Sequence, residues 1–486
     1  MAQAESSDVT FKASDQNYQD YGLRSMMARV MYSYADRYML TVAVRSDESS
    51  RLAKNNNKHT YPAVSVGWNV AKENFMSNLD YLNSLKLRVG YGQTSNQSVD
   101  PYKTLGLVST QSAQMGTKEI AAYKLSELKN EELGWEYSET MNYGIDFGFF
   151  NSRLTGSFEY YVQKTKDVLL AVAMPPSAGV ESIMKNIGKT ENKGFEFNLN
   201  GVILDNYNDF TLEAGFNMYA NKNELVELST GVTENKANWW FVGHPIDVIY
   251  DHEMIGLWQA EDEELMKIQM PGASLGDIRV KGGYKEDGSP REINDDDKQI
   301  IELDPKVQGG FNARLTYKGW DLNIIGAYKV GGKLICSLYG NNGYLNTLRG
   351  RKNNVDVDYW TPEHTNAKYP NPAGQKVDIN PKYGNSLSYF DATYCKIRTI
   401  TLGYNFNTED WAWAENIGIK KIRVYGTVQN PFVIASKFHK ETGLDPETNS
   451  MGDENMASGA YQKRLLTIGT NTPQTRTFLI GLNVTF

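Results

Sequence analysis

The sequence contains very little cysteine and histidine, with 2 Cys and 5 His among 486 residues. Cys336 and Cys395 bracket a long polar segment, which predicts both near one rim of the molecule and leaves open whether they are bonded. His244 and His252 are close in sequence, but no histidine has a metalloprotease spacing, and loop roles are expected for both. Nucleotide-binding and serine-hydrolase motifs do not occur in a suitable context. The sequence therefore does not favour an enzyme.

Long apolar runs and an excess of basic residues are also missing. No window holds the roughly 18 uninterrupted apolar residues that a membrane-spanning helix needs. The formal net charge is -8, which argues against a nucleic-acid partner because phosphate groups attract basic surfaces. A membrane β-barrel is compatible with this composition, since its lipid-facing and lumen-facing residues alternate and their hydropathies average out.

The sequence is rich in aromatic residues, and apolar residues recur at every second position in many segments. Phe, Trp and Tyr make up 12% of the chain, and barrels use aromatics as girdles at the membrane interfaces. Between Met141 and Phe149, apolar residues alternate with Asn, Gly and Asp, and the alternation resumes after Asn151-Ser152. About thirteen such segments of roughly ten residues occur. The sequence predicts an all-β fold, an antiparallel transmembrane β-barrel over residues 1–486.

The predicted connections between strands fall into two sets of different length. Short turns are predicted at Asp36-Arg37, Asn151-Ser152, Asp205–Asp209 and Lys318-Gly319. Long polar segments are predicted at about 94–136, 165–192, 220–306, 330–392 and 430–474. Short periplasmic turns and long extracellular loops are typical of outer-membrane barrels. Residues 220–306 and 330–392 are accordingly predicted to be large extracellular loops, and the uneven spacing disfavours a β-propeller.

The last residues of the chain continue the strand alternation to an aromatic end. Phe478, Ile480, Leu482 and Val484 share one face, and the chain stops in phase at Phe486. Outer-membrane barrels typically end in this way, because the assembly machinery reads the last strand. Phe486 is therefore predicted to be a barrel-assembly signal.

Several short segments, ordered from about residue 20 to the end, match one family as a set. They are Tyr34–Tyr38, Val44–Asp47, Tyr61–Trp68, Leu87–Asn96, Asn130–Glu136, Gly188–Gly194, Asp358–Pro362 and Gln429–Phe432. In these segments the sequence resembles the SusC/RagA family of TonB-dependent outer-membrane transporters. The resemblance implies a barrel of about 22 strands, of which this chain would hold the C-terminal part. The N-terminal plug and the first strands would then be absent from it.

The resemblance also implies a function and a set of partners. We expect the barrel of a TonB-dependent active importer of large nutrients, mostly oligosaccharides, in the outer membrane of a Gram-negative bacterium. A SusD-like surface lipoprotein would cover the barrel, the TonB complex would act through the missing plug, and transporter–lipoprotein pairs would form dimers. Alternatives are an importer of peptides or other nutrients, a passive porin, and a soluble β-rich carbohydrate-binding protein or hydrolase.

Aromatic and amide residues in the long loops are the candidate substrate contacts. Sugar rings present C–H faces that stack on aromatic rings, and their hydroxyl groups need amide or carboxylate partners. The alternative for each residue is loop packing or contact with the lipoprotein. The candidates are Trp239, Trp240, Trp258, Tyr339, Asn341, Asn342, Tyr344, Tyr359 and Trp360.

An acidic loop between Asp277 and Lys298 is the candidate metal site. Members of the family that the sequence resembles often carry a cation-binding loop here, and oxygen ligands around a glycine turn suit Ca²⁺ or Mg²⁺. The candidate ligands are Asp287, Asp295 and Asp297, although the first ligand positions of the motif are lost. The alternative is a solvated acidic turn, and no other cofactor is expected.

Overall fold

One large sheet organises the molecule. The computed structural model describes all residues except 1–18, 181, 230, 341–356, 371–381, 409–410, 452–461, 470 and 473. The main sheet has 13 strands, all antiparallel, and each of them pairs with the next of the thirteen along the chain. They are β1 Leu23–Tyr34, β2 Tyr38–Ser49, β3 Lys58–Asn69, β4 Leu82–Asn96, β5 Glu136–Phe149, β6 Leu154–Lys166, β7 Lys189–Tyr207, β8 Phe210–Glu227, β9 Val307–Tyr317, β10 Trp320–Val330, β11 Tyr394–Asn407, β12 Lys421–Val433 and β13 Thr477–Thr485. The predicted all-β fold and strand number are confirmed.

The connections alternate between the two ends of the sheet. At one end lie 35–37, 70–81, 150–153, 208–209, 318–319 and 408–420, and at the other lie 50–57, 97–135, 167–188, 228–306, 331–393 and 434–476. The turn between β7 and β8 consists of Asn208 and Asp209, both with positive φ, as a tight hairpin turn requires. All the longest connections therefore emerge from one end of the sheet.

Two strands extend further than the alternation of apolar residues indicated. Residues 220–227, which we predicted as loop, continue β8 and pair with β7. The side-chain amides of Asn221 and Asn223 both donate to Asn192 Oδ1 at 3.0 Å. Polar ladders of this kind hold strands together without an apolar face, so the period-two signal ends before the strands do.

The two faces of the sheet differ in polarity. One outward row crosses six strands and consists of Leu40, Val66, Val89, Tyr143, Tyr160 and Phe195. All of its side chains except that of Phe195, which is partly buried, are exposed, and Tyr143 for example is 45% exposed. The opposite, inward face carries ion pairs such as Arg88 with Asp146 at 2.7 Å. An apolar outward face and a charged inward face are the arrangement of a membrane barrel wall.

Smaller strands and short helices build the long connections. Strand pairs are Leu107–Met115 with Lys118–Glu127, Leu169–Ala173 with Ser182–Asn186, Glu234–Asn235 with Trp240–Phe241, Val248–Asp251 with Gln299–Glu302, and Met254–Leu257 with Ile278–Val280. A four-stranded sheet joins Tyr389–Asp391, Lys333–Cys336, Leu466–Ile468 and Ser450–Met451 in that order. The helices are α1 Glu263–Gln269, α2 Ala412–Asn416 and α3 Lys437–Thr442. Single 3₁₀ turns occur at Val70–Lys72, Asn74–Met76, Pro176–Ala178, Ala260–Asp262, Asp295–Asp297, Ser337–Tyr339 and Gly384–Ser388. None of the helices in the described residues is both long and apolar enough to span a membrane.

The main apolar core lies in the loops and not in the sheet. The described residues of connections 228–306, 331–393 and 434–476 pack together, and we call them the loop assembly. Its largest cluster is made of Leu257, Ile278, Val280, Ile293, Leu334, Cys336, Tyr339, Trp360, Ala367, Tyr369, Leu387, Phe390, Ala392, Phe438 and Ile468. Cys336 and Cys395 are both free, and burial in this core raises the pKa of the Cys336 thiol to about 12.

Candidate functional site

Three of the candidate substrate residues are part of the core of the loop assembly. Trp258 is 0%, Tyr339 2% and Trp360 7% exposed. The Trp360 indole donates to Gln259 Oε1 at 3.3 Å, and the Arg279 guanidinium lies 4.8 Å from the ring centre of Trp258. Rings buried in this way present no face to solvent. In this structure they hold the three loops together.

The other candidates have different surroundings. Tyr359, the neighbour of Trp360, is 46% exposed. Trp239 packs at the edge of the cluster formed by Ile249, Ile335 and Leu465. Trp240 is half-buried, with the Arg464 guanidinium 5.8 Å from its ring centre. The remaining three, Asn341, Asn342 and Tyr344, lie outside the described residues.

The fold does not bring the three candidate metal ligands together. Asp297 is buried and accepts hydrogen bonds from the Arg291 guanidinium at 2.8 Å and from the backbone N–H groups of Gly283 and Asn294. Burial alone would raise the pKa of Asp297. These contacts lower the pKa by more than burial raises it, so the net shift is downward. Asp295 pairs with Lys298 at 2.9 Å, while Asp287 accepts from Ser289. In the described part of the chain, no three His, Cys, Asp or Glu side chains could share an ion.

The predicted assembly signal is accessible. Phe486 directly follows β13 and is 70% exposed. Two residues of the same alternation, Ile480 and Leu482, are also exposed on the last strand of the sheet. A role of Phe486 in assembly stays a prediction.

A polar cavity that sequence patterns did not reveal lies where the inward face meets the loop assembly. Its volume is about 460 Å³. Strands β9 to β12 form one side of it, and connection 434–476 forms the other. The lining residues are Gln308, Lys329, Tyr394, Arg398, Asn430, Pro446, Glu447, Thr448 and Gln474.

Strand register and two irregularities place these side chains. Lys329 pairs with Gln308 on one side and with Tyr394 on the other, so the three lie in one row. The pairing of β11 with β12 shifts between Ile397 and Thr399, and this bulge contains Arg398. On the facing strand, Asn430 has a φ of 51°, in the left-handed region. Bulges re-aim side chains and often border functional sites.

A buried ion network fastens the loop side of the cavity to β11. Lys396 is 0% exposed, and its ammonium lies 2.6 Å from Asp445 and 2.8 Å from Glu447. Glu447 also pairs with Arg398. Burial raises the pKa of Glu447, but hydrogen bonds from Lys396 and Arg398 lower it more, so the carboxyl is held ionised. The cavity wall therefore has a fixed pattern of charges.

Comparison with known proteins shows the family to which the chain belongs. Residues 3–342 match the family described as TonB dependent receptor-like, beta-barrel. The chain belongs to this family of TonB-dependent receptor-like β-barrels. The SusC/RagA type predicted from the sequence is also confirmed.

Individual relatives of this TonB-dependent receptor-like barrel agree with that assignment. The TonB-dependent receptor P3 of Formosa agariphila is 32% identical over 487 residues, which are 96% of this chain and 45% of that protein. The TonB-dependent receptor SusC of Bacteroides thetaiotaomicron is 31% identical over 486 residues, 96% of this chain and 44% of that protein. The chain therefore spans about half the length of these curated relatives.

A solved structure shows the same fold. The RagAB peptide transporter superposes with a TM-score of 0.73 at 24% identity, covering 96% of this chain and 48% of that one. A second structure, of the RagAB peptide importer in its open-open state, has a TM-score of 0.74 at 22% identity and covers 96% of this chain and 47% of that one. At these identities the likeness concerns the fold alone.

Proposed function

We propose that this chain forms part of the barrel wall of an active importer in the outer membrane of a Gram-negative bacterium. The observation that carries the proposal is the polarity of the sheet, with an uncovered apolar outward face and a charged inward face. An apolar surface of this extent is stable in lipid, and charged side chains line a wet interior. Because open sheet edges are costly in lipid, strands beyond this chain would pair with β1 and β13.

The proposed cargo is an oligosaccharide. The cavity wall supports this choice, because it offers amide and charged groups and very few apolar ones. The hydroxyl groups of a sugar can make hydrogen bonds to such amide and charged groups. Of the aromatic candidates in the loops, exposed Tyr359 is the best placed to stack on a sugar ring, with Trp239 and Trp240 next.

The proposed partners act at the two ends of the barrel. A SusD-like lipoprotein would cover the loop assembly, whose packed core gives a firm docking platform. The TonB complex would supply energy through a plug at the opposite, short-turn end. Two transporter–lipoprotein pairs would associate as a dimer. Purification from native membranes tests the first contact, because a co-purifying lipoprotein is expected.

Gene deletion tests the function. Cells without the gene for this transporter should fail to take up at least one class of oligosaccharide, and the intact gene should restore uptake. A panel of fluorescent oligosaccharides and peptides, measured side by side, separates the two classes of cargo. Loss of peptide uptake with unchanged uptake of every oligosaccharide would contradict the proposed cargo and favour peptide import.

A further inference from the structure

The charges around the polar cavity are not evenly matched. Lys396 and Arg398 are both held by Glu447, and Lys396 also by Asp445. Lys329 also lines the cavity, yet it makes no ion pair or side-chain hydrogen bond with any residue in the described part of the chain. A half-buried ammonium without a close counter-ion is costly, and an anionic ligand would relieve this cost.

Two acids attract Lys329 electrostatically, and neither forms an ion pair with it. They are Asp304 and Glu447, and the Glu447 carboxylate is already held by Lys396 and Arg398. Burial raises the pKa of Asp304, and repulsion from Asp247 and Glu302 raises it further. Asp304 forms no ion pair with the ammonium and Glu447 is shared with two other cations, so Lys329 has no close counter-ion of its own among the described residues.

The groups beside Lys329 offer free hydrogen-bond donors. Gln474 accepts from the Asn430 amide through its oxygen at 3.3 Å, which leaves its own NH₂ group for other partners. Arg398 contacts Glu447 through one nitrogen and is half-exposed, so several of its five N–H groups are free for a ligand. Gln308 stands next to Lys329 in the same row. The wall therefore suits an acceptor that carries negative charge.

We infer that this cavity is a cargo subsite for the carboxylate of an acidic oligosaccharide, with Lys329 as the cation that recognises it. The inference rests on the proposed function and specifies its cargo as a sugar chain containing uronic acid. The volume of about 460 Å³ lies within the range of pockets that hold small ligands, about 300–1,000 Å³. Lys329 would bind the carboxylate, while Gln308 and Gln474 would bind hydroxyl groups of the same or the next ring.

Binding of matched ligands to the purified, complete transporter tests the inference. The ligands are oligomers of galacturonate, glucuronate and mannuronate, each paired with its carboxyl-reduced neutral form, and calorimetry gives the dissociation constants. We expect at least one acid form to bind about tenfold or more tightly than its neutral form, as a charge-assisted hydrogen bond provides. Lys329→Met should remove this preference without changing affinity for the neutral form, and Lys329→Arg should retain most of it. The control Lys281→Met alters an exposed lysine far from the cavity in sequence and should have no effect.

The outcomes separate the inference from the proposed function. Equal binding of acid and neutral forms, or an unchanged preference in Lys329→Met, overturns the inference while import of neutral oligosaccharides stands. If no oligouronide binds while neutral oligosaccharides do, the inference is likewise overturned and the proposed import of oligosaccharides stands. If acidic peptides, added to the same series, bind and no oligosaccharide of either kind does, both the inference and the proposed cargo are overturned.

Discussion

The ammonium of Lys396 lies 2.6 Å from a carboxylate oxygen of Asp445, in a side chain that is only 1% exposed. Through this contact and the one to Glu447, connection 434–476 is fixed to β11. Lys396→Met would leave two carboxylates beside an apolar side chain. We expect it to lower the local free energy of unfolding by about 3–5 kcal/mol.

Hydrogen exchange measures this effect at the amides of Asp445, Glu447 and Thr448, which should exchange faster in Lys396→Met. The control is Lys440→Met, at an exposed position in the last turn of α3. Unchanged protection at residues 445–448 in Lys396→Met would show that the network does not fix the loop.

The lowered pKa of Glu447 predicts how this attachment depends on pH. A carboxyl group whose pKa is lower in the folded state stabilises that state fully above its ordinary value, here 4.5. The stabilisation is lost as the pH falls through the lower, folded pKa. Exchange at residues 445–448 should therefore differ strongly between wild type and Glu447→Gln at pH 7, and the difference should shrink below pH 4.5. An equal difference at pH 7 and pH 3 is the contrary result.

Tyr359 and Trp360 are neighbours in sequence with opposite environments, 46% and 7% exposed. Trp360→Ala should destabilise the loop assembly by about 3–5 kcal/mol, because it removes a large ring from a packed core. Tyr359→Ala should leave stability nearly unchanged and weaken oligosaccharide binding. Thermal unfolding and calorimetry on the two variants distinguish packing from ligand contact. A large loss of stability in Tyr359→Ala would contradict this assignment.

The buried Asp297 predicts the response to metal removal. Its carboxylate already accepts from Arg291 and two backbone N–H groups, so a cation would have to displace the guanidinium. We expect chelation by EDTA to leave the thermal unfolding midpoint unchanged. The matched variant Arg291→Gln, which removes the guanidinium, should be destabilised. A lower midpoint with EDTA that calcium restores would establish a cation site in this loop.

The strands could be predicted from the sequence because one face of the sheet is apolar and the other polar, which imposes a period of two. The position of the Lys318-Gly319 turn also sets the register of β9 and β10. Counting equal numbers of residues away from the turn along both strands pairs Gln308 with Lys329, which both line the cavity. The loop assembly could not be predicted in this way. Its core joins residues as distant as Leu257 and Ile468, which no local periodicity relates. For the same reason, the burial of Trp258 and the approach of Glu447 to Lys396 became evident only in the structure.

The opposite polarity of the two faces gives the most direct test of membrane insertion. Phe158 is an outward residue of β6 and is 40% exposed, while its neighbour Ser157 faces inward and pairs with Asp146. Arginine on the lipid face near the middle of the membrane costs about 2–4 kcal/mol, whereas a lumen-facing arginine remains hydrated. Phe158→Arg should therefore reduce the folded fraction of the transporter in membranes much more than Ser157→Arg does. Gel mobility without and with heating measures the folded fraction of both variants. If Ser157→Arg is the more damaging substitution, the outward face does not contact lipid, and the proposed barrel wall is wrong.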